Sequence, residues 1–267
     1  MQPFQQNQAG FGAGATRSAV EVDQGLRAFM LGVYNNMIFG LAVSALVALG
    51  VNKLAVASSI ETAARNAAGQ AIRVSGQFLT PFGVTFYLSP LKWVVMLAPL
   101  AFIFFFTFRM DRMSAATARS TFLAFAAVMG ASLSTIMLVY TGASVTQTFF
   151  VTAAAFGGLS LYGYTTQRSL SGMGSFLMMG LIGLVIASLV NIFLASTALQ
   201  FAISAIGVLI FAGLTAYDTQ KLKEMYLHGN YDGETAAKVS VFGALTLYLD
   251  FINMFQFLLA FMGNRNN

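Results

Sequence analysis

The sequence predicts an all-α integral membrane protein, a bundle of seven transmembrane helices. Three observations carry that reading. Of 267 residues, 57% are hydrophobic and only 9% are charged, against about 25% charged in soluble domains. The apolar residues gather into seven runs, each cut from the next by charges, Pro or Gly clusters. Cysteine is absent and His228 is the single histidine, which excludes disulfides and both thiolate and multi-histidine metal sites.

The first 28 residues read as a disordered tail, Gln-, Gly- and Ala-rich at its start. They lack the basic start and apolar core of a signal peptide. The GFGAGA within them follows no strand and is not a dinucleotide loop. The membrane domain then runs from 29 to 263, and 264–267 form a short C-terminal tail. Its first run is Phe29 to Val51, followed by a connection of about forty residues. Within that connection SIETAARNAAGQAIRV has Ile60, Ala64 and Ala67 at helical spacing, the pattern of a surface helix. The second run, Trp93 to Phe108, is short for a span. The third, fourth and fifth are Ser120 to Tyr140, Thr146 to Thr166 and Gly174 to Ala195. The sixth is Leu199 to Tyr217 and the seventh Ser240 to Met262. Connections at Gly142, Gly172 and Ser196 are short enough to force antiparallel hairpins. Small residues such as Ala153–Gly158 predict close helix packing rather than a ligand loop.

Seven spans place the N-terminus on the same side as Arg17, Arg27, Arg109, Arg112, Arg119, Arg168, Lys221, Lys223 and Lys238. The other side holds Lys53, Arg65, Arg73, Lys92 and Arg265, four of them in the long first connection. The richer side is the cytoplasmic one, so the N-terminus is expected inside and the C-terminus outside. The net charge of +5 is topological, since the basic residues flank apolar runs, and no nucleic-acid partner is expected.

Asp250 has the most to explain. It lies ten residues into the seventh run, roughly 15 Å along the helix and near the midplane. An ionised side chain there costs at least about 2.5 kcal/mol. Thr246 and Asn253 share its helix face and Gln256 continues the stripe. Asp218 closes the sixth run, with Thr215 three residues before it. The functional reading is a two-carboxylate site on the last two helices. The plainer readings are an interfacial Asp218 paired with Lys221, and a neutral Asp250 that joins helices by hydrogen bonds. Two carboxylates close together cannot both ionise cheaply and titrate as a unit, which makes a pH sensor without histidine. Ionised, they offer hard oxygens suited to Ca²⁺. Asp218 stands at the end of its run and Asp250 near the middle of its own, so the two meet only if the sixth helix tilts or Asp218 sits deeper. Arg109, ending the second run, either snorkels to the interface or pairs with Asp218; Asp111 is a rival partner that points elsewhere on a helix. No HExxH or GxSxG motif is present and no nucleophile stands with a base, so no enzyme is expected and no cofactor.

The segments Ala216-Tyr-Asp-Thr-Gln-Lys221 and Ala244-Leu-Thr-Leu-Tyr-Leu-Asp-Phe-Ile-Asn253 resemble the C-terminal signatures of the Bax inhibitor-1 family, also called the transmembrane BAX inhibitor motif family, with its bacterial YccA-type members. The resemblance covers about 29 to 263. It implies a seven-helix fold of the cytoplasmic membrane with the last helix central, wrapped by the other six. It implies that Asp218 and Asp250 are a paired-aspartate gate and metal site, that Arg109 latches the first aspartate, and that the function is a pH-sensitive, calcium-permeable channel or leak. The alternative, a regulatory protein that binds a membrane protease or another membrane partner, also fits the family and needs no ion path. Some relatives carry an acidic residue in the second helix; the run from Trp93 to Phe108 has none.

Overall fold

The structure, a computed structural model, describes residues 19–109, 112–229 and 231–266. Eight helices and one small hairpin make it up. They are α1 (Ala19–Ala55), β1 (Arg73–Val74), β2 (Gln77–Phe78), α2 (Pro81–Leu88), α3 (Leu91–Arg109), α4 (Ala115–Val139), α5 (Gly142–Thr165), α6 (Ser171–Leu194), α7 (Thr197–His228) and α8 (Gly233–Met262). Six of the helices are long and apolar enough to cross a bilayer. A further pair, α2 with α3, bends by 59° at its break.

Most helices begin where a side chain meets an orphan backbone N–H. Ser114, Thr141, Ser196 and Asp232 accept from the N–H groups of Thr117, Ser144, Leu199 and Thr235. Thr80 does the same for α2, ahead of Pro81 at its first position. These caps explain why the helices outrun the apolar runs. Hydropathy ends at Tyr217, but α7 continues to His228 because its polar residues find partners there. Gln220 donates to the Arg168 carbonyl and accepts from the Leu170 N–H, and the Lys223 ammonium donates to the Tyr164 carbonyl. At the other end of the chain, residues 19–28, expected in the tail, are the first turns of α1, and 1–18 lie outside the described residues.

The long first connection is not a surface helix. Asn66 folds it over: its side-chain oxygen accepts from the N–H groups of Ala68 and Gln70, and Gly69 takes φ +76. That local turn competes with helix, as Asn side chains do. The segment continues into the antiparallel pair Arg73↔Phe78 and Val74↔Gln77.

Helix directions follow from residue contacts. Gly40 of α1 lies against Phe122 of α4, and Ser44 donates to the Ala126 carbonyl and lies against Gly130. The two numberings rise together, so α1 and α4 run parallel. The chain between them must therefore return, and α2 with α3 is that return. Gly32 meets Ser240, Gly40 meets Tyr248, and the Ser44 and Tyr248 hydroxyls lie 2.7 Å apart, so α8 also runs parallel to α1. The C-terminal segment accordingly sits at the far end, where the Asn264 carbonyl accepts from the Thr141 N–H and the Asn266 amide donates to the carbonyls of Leu138 and Tyr140.

The last helix is central, as expected, but four helices rather than six wrap it. Half of its 18-residue apolar window is buried, against 17 to 33% in the other five long helices. It packs on α7, α1, α5 and α4. The other two spans form an outer layer: α6 packs on α7, and α3 on α4 and α2.

Candidate functional site

The extra turns of α7 place Asp218 well inside the bundle. It stands ten residues before the end of α7, about 15 Å along the axis. Gly243 of α8 lies against Leu222 and Gly207 of α7 against Phe257, an antiparallel register that brings Asp218 within a turn of Asp250. The two carboxyl groups stand close enough to act on each other. Helix length thus removes the mismatch in depth that hydropathy suggests.

The environment of the pair is uneven. Asp250 is only 5% exposed, and its Oδ2 is fully buried with no hydrogen-bond partner. Asp218 is half-buried and feels the charge of Lys221, one turn on. Lys221 also lies 5.9 Å from the Tyr217 ring centroid. A hydrogen bond between two carboxyl groups needs a proton on one of them, because an ionised carboxylate only accepts.

The supporting stripe behaves differently from the pair. Thr215, Thr246 and Asn253 each donate to a carbonyl four residues back on their own helix, those of Phe211, Phe242 and Leu249. Their donors are used locally, and Gln256 faces outward. Among the described residues, no group of three or more His, Cys, Asp or Glu gathers as a metal site. The pair offers two carboxylates to a cation, short of the six to eight oxygens of a resident Ca²⁺ site.

Arg109 ends α3 with its guanidinium 5.7 Å from the Phe105 ring centroid. Its helix packs on α4 and α2 rather than α7, and the charged groups acting on Asp218 are Lys221 and Asp250. The structure does not bring Arg109 to the pair. Asp111 lies outside the described residues.

Sequence reasoning misses a second hydrogen-bonded chain beside the pair. The Tyr34 hydroxyl on α1 lies 2.6 Å from Ser160 Oγ on α5, which lies 3.0 Å from Thr219 Oγ1, the neighbour of Asp218. Thr219 in turn donates to the Thr215 carbonyl. Tyr34 and Ser160 are 126 residues apart, and no spacing rule connects them. Close backbone approach holds this region. A Cβ on Gly163 would strike the Ala216 carbonyl oxygen, and one on Gly174 would strike the Tyr217 ring. The small-residue run at Gly157-Gly158, expected to pack closely, has nothing within 4 Å of either added Cβ.

Residues 26–267 match the family described as "Inhibitor of apoptosis-promoting Bax1". An uncharacterized protein of Caulobacter vibrioides is 49% identical over 249 residues, covering 93% of both chains. The Inner membrane protein YbhL of Escherichia coli is 42% identical over 250 residues, covering 93% of this chain and 96% of its own. With a family match over nearly its whole length and relatives of this closeness, the chain belongs to the Bax inhibitor-1 family of membrane proteins.

Proposed function

We propose that this protein is a pH-sensitive calcium leak of the inner membrane, with the N-terminus in the cytoplasm and the Asp218–Asp250 pair as its gate. The observation that supports this reading is the carboxyl–carboxyl contact between α7 and α8, deep in the bundle and held next to a fully buried, unpartnered Asp250 oxygen. A stable scaffold has no use for such a contact, since apolar side chains would hold the helices at lower cost. The inner-membrane location is drawn from YbhL, which carries it in its name.

While a proton is shared, the pair carries at most one negative charge and ties α7 to α8. Loss of that proton leaves two like charges in contact at low dielectric, which drives them apart. The freed carboxylates then offer hard anionic oxygens to a passing Ca²⁺, with carbonyl and hydroxyl oxygens or water completing its shell. The sign follows: acid keeps the pair joined and calcium passage low, and passage rises as pH rises. Nothing in this scheme requires covalent chemistry or a bound cofactor.

The test is calcium flux into liposomes holding the purified protein, measured across pH. Asp250→Asn and Asp218→Asn keep size and hydrogen bonding while removing the charge, so both fold and both flatten the pH response. The double variant adds little beyond either single one, because the two groups act as one unit. If Asp250→Asn leaves flux and its pH dependence intact, the acid only joins helices, and a regulatory role on a membrane partner such as a protease becomes the better reading.

A further inference from the structure

The α1 and α5 helices both flank α8, yet between them runs an open apolar groove of about 960 Å³. Leu31 and Ile38 on α1 and Phe149 and Leu161 on α5 are all more than 40% exposed along its rims. Its floor includes Phe156 and Phe251, and Gly157 and Ser160 lie on the α5 side. Arg27 stands at one end with Tyr164 across from it. Arg27 is exposed and comes two residues before the apolar run that starts at Phe29.

We propose that this groove is a binding site for one glycerophospholipid, with its phosphate against Arg27 and an acyl chain between α1 and α5. Three observations select this occupant. The groove opens along the lipid-facing sides of two spanning helices, so the bilayer is the medium that reaches it. The cation stands only at the end where an apolar run begins, the depth at which a headgroup phosphate lies. The length also fits: half of a roughly 30 Å hydrocarbon core is about 15 Å, which at about 1.5 Å per residue carries a chain from Arg27 past Tyr34 to Met37. The missing side chain of Gly157 supplies part of the width. An added Cβ there meets nothing within 4 Å, so this glycine leaves room for a guest rather than for a neighbouring helix.

The chain would pass over the Tyr34–Ser160 hydrogen bond, which leads through Thr219 to the neighbour of Asp218. A bound lipid would then be the outer wall of the carboxyl site and seal it from the side. Lipid binding itself holds whether or not the pair passes calcium.

Native mass spectrometry of the full chain, released from detergent and titrated with phosphatidylglycerol, reads the site directly. The expected result is one lipid adduct that persists under mild activation. Gly157→Phe and Ala153→Leu fill the groove and lower that adduct several-fold. Arg27→Gln lowers it for the intact lipid but leaves binding of a phosphate-free diacylglycerol unchanged. Gly183→Phe is the control, because its position on α6 is also open and lies outside the groove. Inorganic phosphate does not compete, since the acyl chain supplies most of the contact. Retention of the adduct by both groove-filled variants, with helicity unchanged by circular dichroism, overturns the proposal. So does a dimer peak that Gly157→Phe abolishes while the lipid adduct remains, which would make the groove an interface between copies of this chain.

Discussion

At the residue scale, the cation beside Asp218 decides how the pair responds to pH. An opposite charge within a few ångströms favours the ionised carboxylate. Lys221, one turn on from Asp218, is the cation that acts on it, whereas Arg109 rests on Phe105. Lys221→Gln is therefore expected to move the pH profile of calcium flux to higher pH, and Arg109→Gln to leave it close to wild type. The reverse outcome would mean that Arg109 reaches the pair in another conformation. Asp218 and Asp250 are legible in the sequence because a charge inside an apolar run is conspicuous. The chain through Tyr34, Ser160 and Thr219 is not, because hydroxyls are common in spanning helices and only the fold shows which of them meet.

At the element scale, helix ends and glycine contacts are the features that hydropathy reads poorly. Apolar runs mark where the bilayer lies, not where hydrogen bonding stops, so α7 outlasts its run by eleven residues. The start of α8 rests on Asp232, whose exposed carboxyl is held below the usual carboxylate range by hydrogen bonds from Thr235. A group with a lowered folded-state value contributes stability above its unfolded value and loses it as pH falls through the folded one. The cap is thus intact at neutral pH and fails only in strong acid, well below the range in which the flux is tested. Glycine roles are equally hidden from composition. Gly163→Ala would drive a Cβ into the Ala216 backbone and is expected to destabilise by about 1–3 kcal/mol. Gly158→Ala meets open space and is expected to stabilise by about 0.5–1 kcal/mol through lost chain entropy. Thermal unfolding in detergent separates the two, and equal shifts would show that α5 does not approach α7 at Gly163.

At the scale of the whole molecule, the order of the spans is legible and their wrapping is not. Seven apolar runs and three short connections already predict alternating helices. That α8 lies at the centre follows in the sequence only from the resemblance of its motif, because its apolar content is ordinary among the spans, and its burial bears this out. The direction of the helices then fixes the topology without counting spans. With α1, α4 and α8 mutually parallel, the start of α1 and the end of α8 must lie at opposite ends of the bundle. The short α3, at 19 residues, is about 28 Å long and suffices as the return to α4. Nine of the fourteen basic residues fall on the side of the N-terminus, and the proposal that this side is cytoplasmic rests on that excess. A reporter fused after Asn267 is therefore expected to behave as external and one fused before Met1 as internal. If both report the same side, α2 and α3 do not cross, and the parallel packing of α1 on α4 would have to be abandoned with them.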